Sequence, residues 1–166
     1  MQLLSAIFLS VSLTSASEVK LMESFDHDKI TGTWLVAKRN AQLLKKSYRC
    51  VKVELVHAGE GKDFVMHGNW IDEEQTVHNN TFIVIEDQSH PAQFVFKSDV
   101  EKIALSFLGS DYTNWAVAFG KVLLKESYFV AYRKLPADPA FAPAIEEVLR
   151  ANNVGLDFLT IDHSNC

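Results

Sequence analysis

Eight short apolar segments separated by turn chemistry fill residues 33–134, and no helical pattern interrupts them. That order constrains the fold more than any other feature. The clearest segment is "CVKVELV", where Val51, Val53 and Leu55 alternate with Lys52 and Glu54, the period of two that a half-buried strand requires. "TWLVAKR" precedes it. After the turn "HAGEGKD" come "FVMHGNW", "TVHNNTFIVIE", "AQFVFKS", "KIALSFL", "YTNWAVAFG" and "SYFVAYRK". Parallel strands need a crossover between them, usually a helix, so a βαβ arrangement is excluded. The prediction is an all-β antiparallel meander, closed as an up-and-down barrel or stacked as a sandwich.

The character changes after residue 134. "LPADPAFAPAIEEVLRANNVG" places Phe141, Ile145, Val148 and Leu149 at helical spacing, with Asp138 as N-cap and Pro139 at the first helical position. "LDFLTI" then reads as a short ninth strand, and the chain ends at Cys166.

The opening segment, residues 1–17, carries no charged side chain and is too short in its apolar run to span a bilayer. Small residues follow the run, so it reads as a secretory signal peptide cleaved near Ala16 or Ser17, rather than as an anchor. This leaves one domain, residues 18–166, and predicts an extracellular protein with no transmembrane segment. The two cysteines then favour a disulfide, with one intramolecular pairing available, Cys50 to Cys166. Asn79-Asn80-Thr81 is a glycosylation sequon; the phase of its strand is open, and if Phe82 and Val84 face inward, Asn79 faces outward, as glycosylation requires. A net charge of −5 argues against nucleic acid.

Three local motifs resemble the lipocalins. Gly32-Thr33-Trp34, at the start of the first strand, is similar to the family's GxW. "SDYTNW", Ser110 to Trp115, resembles the TDYxxY signature between the sixth and seventh strands, with Ser for Thr and Trp for the second Tyr. Arg133 ends the eighth strand, where lipocalins carry a basic residue. The resemblance covers the whole chain after the signal. It implies an eight-stranded antiparallel up-and-down barrel with one C-terminal helix and a short ninth strand. Gly32, Trp34, Asp111, Tyr112 and Arg133 would build the barrel floor, with the Arg133 guanidinium over the Trp34 indole. A cysteine placed like Cys50 and paired with the tail resembles the apolipoprotein D and insect bilin-binding branch. That branch usually has a second disulfide, absent here, so a diverged invertebrate lipocalin also fits.

A barrel of this size is filled by side chains or holds one small ligand. The resemblance implies an extracellular carrier of a small hydrophobic molecule of the retinoid, fatty acid, pheromone or pigment class, and no enzyme. Candidate lining residues are Val36, Val53, Leu55, Met66, Trp70, Phe82, Phe94, Phe96, Leu105, Phe107 and Phe129, each equally readable as plain core. Lys38 shares phase with Trp34 and Val36, which brings it toward the mouth. In "FVMHGNW" either Phe64, Met66 and Trp70 face inward or Val65 and His67 do. The alternatives are a protein partner bound through the loops, haem on His67 or His78, or a biogenic amine. An amine wants buried carboxylates, and Glu54 and Glu86 do not obviously face inward. The six His form no zinc pattern, and no G-x-S-x-G or H-E-x-x-H motif is present, so neither a metal nor a cofactor is expected.

Overall fold

Alternation decides the strands, and their pairing closes them into a barrel. The computed structural model describes residues 19–40, 43–59, 64–84 and 90–166. The expected signal peptide and Glu86 lie outside them. Eight strands follow in order: β1 Gly32–Arg39, β2 Arg49–His57, β3 Phe64–Ile71, β4 Val77–Val84, β5 Gln93–Lys97, β6 Lys102–Ser110, β7 Trp115–Val122 and β8 Lys125–Tyr132. Each pairs antiparallel with the next. β1 pairs with both β8 and β2, which shuts the barrel. The barrel, not the sandwich, is the observed architecture. Closure leaves no free edge among the eight strands.

Helix α1, Ala142–Ala151, packs its buried Ile145 and Leu149 on the outer wall, together with Leu108, Trp115, Val117, Val130 and Tyr132. The approach is close. A Cβ on Gly109 would lie 2.6 Å from Val148 Cγ2, so only glycine admits the helix there. The helix entry differs from the expectation: Asp138 Oδ1 accepts the Ala140 N–H at 2.9 Å, but this caps a 3₁₀ turn, Pro139–Phe141, and α1 begins after it.

The ninth strand, β9 Leu159–Thr160, pairs with Lys38 and Arg39 of β1, outside the barrel. There β1 has parted from β2, whose ladder with it runs only from Gly32↔Leu55 to Leu35↔Lys52. The tail occupies the gap. The Ile161 N–H donates to the Ala37 carbonyl and the Cys50 N–H to the Asp162 carbonyl, both at 2.8 Å. The Cys50–Cys166 disulfide fastens it.

Candidate ligand cavity

The floor is built around one indole. Trp34 is 3% exposed, and its Nε1 donates to the Ile30 carbonyl at 2.8 Å. The Arg133 guanidinium covers the ring face, with Cζ 3.7 Å from the ring centre. Its nitrogens donate to three carbonyls: Nε to Tyr112 at 3.1 Å, Nη1 to Thr33 at 3.1 Å and Nη2 to Lys29 at 2.9 Å. One cation thereby ties the lead-in to β1, β1 itself and the β6–β7 turn. Burial lowers the Arg133 pKa, opposed by the nearby Asp111 charge; a guanidinium stays protonated regardless. Gly32 makes room, with φ of +92° and a would-be Cβ 3.1 Å from Arg133 Nη1. Asp111 organises the turn by accepting the N–H groups of Thr113, Asn114 and Trp115. The Tyr112 hydroxyl accepts the Asp26 N–H at 2.9 Å.

Above the floor, one side of the interior is solid. Phe94 and Phe96 face inward from β5 but do not border the cavity. Both are fully buried, and Phe94 packs against Phe25, His27, Phe64 and Phe107 at ring separations of 5.2 to 6.0 Å. Of the two readings of these residues, the structure gives core. The reason is that the lead-in to β1 folds under the barrel and adds Phe25 and His27 to that end.

The other side is open space of about 380 Å³, within the range of small-molecule sites. Val36, Val53, Leu55, Met66, Trp70, Phe82, Leu105, Phe107 and Phe129 border it. The phase of β3 is settled: Phe64, Met66, Gly68 and Trp70 point in, while His67 bonds Thr81 on the outer face at 3.0 Å. Lys38 does not approach the mouth. A β-bulge between Val36 and Lys38 inserts an extra residue, so Lys38 pairs with outward Val130, is exposed, and leaves the inward position to Arg39.

The cavity also has walls that a search for large apolar residues passes over. Ala116 and Ala118 of β7 and Ala131 of β8 present only methyl groups inward and Gly68 of β3 no side chain at all, and this is what leaves the volume empty. Their period of two was visible in "WAVAFG". Leu43, Leu44 and Tyr48, on the β1–β2 connection, close over the rim; no strand periodicity marks them. Lys125 and Glu101 stand at the mouth, Lys52 borders the space from the outward phase of β2, and Asn80 lies deeper.

The two histidines considered for haem are engaged elsewhere. His78 stacks on Trp70, ring centres 5.2 Å apart, and its Nε2 meets Asp72 Oδ2 at 2.7 Å; that contact, aided by backbone hydrogen bonds, lowers the Asp72 pKa. Among the described residues no group of three or more His, Cys, Asp or Glu could hold a metal ion, and no helix is long and apolar enough to cross a membrane. Glu54 is exposed on the outer face. Asn79 is exposed, next to the inward Asn80, and its side chain accepts from Asn69.

No protein-family model and no curated protein sequence matches the chain. Solved structures do. The amine-binding protein of Rhodnius prolixus, in its tryptamine complex, superposes with a TM-score of 0.74 at 13% identity, over 87% of this chain and 84% of that one. The cockroach major allergen Per a 4 gives 0.72 at 19%, over 90% and 98%. Insecticyanin from the tobacco hornworm Manduca sexta gives 0.72 at 12%, over 89% and 86%. The chain therefore has the lipocalin fold, a closed eight-stranded cup with a C-terminal helix on its wall.

Proposed function

We propose that the chain is a secreted lipocalin that carries a small hydrophobic molecule in its barrel, and that it is a binding protein rather than an enzyme. The observation that carries this reading is the cavity: apolar walls, a sealed floor and an open mouth. A barrel meant only as a scaffold gains nothing from inward alanines. Each buried methylene absent from the wall forgoes roughly 0.8 kcal/mol of burial, and a ligand can restore what the wall omits. The contacts proposed for it are the nine bordering residues of the sequence reading, together with the alanines of β7 and β8. An extracellular setting is supported by the uncharged leader and the disulfide, and glycosylation at Asn79 by its exposure on the outer face.

The fold neighbours include an amine-binding protein and insecticyanin. Among the described residues the one carboxylate that borders the cavity, Glu101, is exposed at its mouth, so the walls offer an amine no buried counter-charge. Native mass spectrometry of the protein purified from its source tests the reading, together with uptake of an environment-sensitive apolar dye. A retained small molecule that displaces the dye is the expected result. Failure to take up any apolar probe would sink the proposal.

A further inference from the structure

The hairpins on one side of the mouth end in apolar side chains turned to solvent. Leu123 and Leu124, the two residues between β7 and β8, are 87% and 97% exposed, and Val100, between β5 and β6, is 77% exposed. β6 pairs with β7 at Ala104↔Lys121, which sets these two turns side by side. Val122 and Lys125, on either side of the leucines, border the cavity. The leucines thus form its rim.

Folding does not account for them. A two-residue hairpin turn favours Asn or Gly where φ is positive, and here Leu123 takes φ of +53°. Adjacent exposed apolar groups at one end of a soluble domain mark a contact surface. The charge beside them indicates with what. Lys45, Lys46 and Lys125 converge with Leu44 on a groove next to this turn, facing one acid there, Asp157, on a chain of net charge −5. Glu126 is already paired to Lys121 at 2.9 Å. Val100 sits between Asp99 and Glu101, so the lysine-flanked tip is the Leu123–Leu124 turn; an apolar tip with lysines beside it suits a bilayer surface with anionic headgroups, where the leucines enter the interface and the lysines meet phosphate and carboxylate. The acidic turn of Asp72, Glu73 and Glu74 joins β3 to β4, on the far side of the ring of strands.

We propose that the Leu123–Leu124 rim docks the barrel, tilted, on an anionic lipid surface, so that the ligand passes between bilayer and cavity without crossing water. The purpose rests on the carrier reading, whereas the docking is measured without any ligand. The test is co-sedimentation of the purified protein with vesicles of phosphatidylcholine alone or mixed with phosphatidylserine, at low and high salt. Binding to the mixed vesicles, weakened by salt, is expected. L123N/L124G should lose vesicle affinity by about tenfold or more, and K45E/K46E should lose the preference for phosphatidylserine. The leucine variant puts Asn at the positive-φ position 123 and leaves the walls intact, so its uptake of an apolar dye should match wild type and certify the fold. Wild-type protein that takes up dye but ignores both vesicle types overturns the proposal, as does equal vesicle binding by the leucine variant. A dimer in sedimentation velocity that the leucine variant abolishes, without vesicle binding, also overturns it and assigns the rim to a second copy. Vesicle binding without dye uptake keeps the docking and removes the carrier reading.

Discussion

Arg133 Cζ stands 3.7 Å from the centre of the Trp34 ring, across 99 positions of sequence (133 − 34). This contact joins the start of the barrel to its end. A cation over an indole is worth about 0.5–2 kcal/mol, and the three carbonyls that the same guanidinium satisfies would otherwise be left without their donor. Trp34→Ala should cost about 3–5 kcal/mol, as buried large aromatics do. Arg133→Met should cost about 1–3 kcal/mol, because the carbonyls of Lys29, Thr33 and Tyr112 lose their donor. The double variant should cost less than the sum, since each single change already removes the shared contact. Urea unfolding of the four proteins checks this; strict additivity would show that the two side chains act independently.

Gly32 is fixed by geometry twice over. A side chain there meets both a positive φ and the Arg133 guanidinium at 3.1 Å. Gly32→Ala should therefore destabilise by about 1–3 kcal/mol, whereas Gly155→Ala, with open space around it, should change little. Thermal midpoints of the two variants make the comparison.

The disulfide closes a chain segment with a sequence separation of 116. The Cys50→Ser/Cys166→Ser variant should lose about 4–5 kcal/mol if loop entropy is released in full. The tail keeps its hydrogen bonds to Ala37 and Cys50 in the variant, so hydrogen exchange should show residues 159–166 opening before the barrel does. Simultaneous exchange of tail and barrel would contradict that order.

Asp111 links stability to pH. Burial raises its pKa, but hydrogen bonds from Trp115, Asn114 and Thr113 outweigh it, and the carboxyl sits below its ordinary 3.8. A lowered folded-state pKa gives stability that is complete above the unfolded value and is lost as pH falls through the folded one. Asp111→Ala should thus be clearly less stable than wild type at neutral pH, and the gap should narrow as pH drops below about 3.8. Unfolding free energies measured down the pH scale test this; a gap independent of pH would mean that the carboxylate charge is irrelevant.

Ala118→Phe should fill the cavity from β7. Dye affinity should fall at least about tenfold, equivalent to 1.4 kcal/mol, with stability held or changed by no more than the usual overpacking cost of about 1–3 kcal/mol. Fluorescence titration beside a denaturation curve reads both. Undiminished affinity would place the dye outside the barrel.

Local chemistry was enough for much of this architecture. Period-two alternation in stretches such as "CVKVELV" needs no distant partner to be read, because successive strand residues face opposite sides whatever they pair with. Gly32, Trp34, Asp111, Tyr112 and Arg133 were legible as a group through motif likeness, and the Cys50–Cys166 pairing through counting. Tertiary structure decided the rest. The bulge that turns Lys38 outward comes from register with β8, which no single strand encodes. Phe94 became core because Phe25 and His27 arrive against it from the lead-in to β1, and Phe96 packs on Phe94 in turn. The cavity is a property of what small residues leave vacant across the barrel: Ala116, Ala118 and Ala131 look inert in a sequence, and their emptiness acquires meaning only when the opposite wall is set in place.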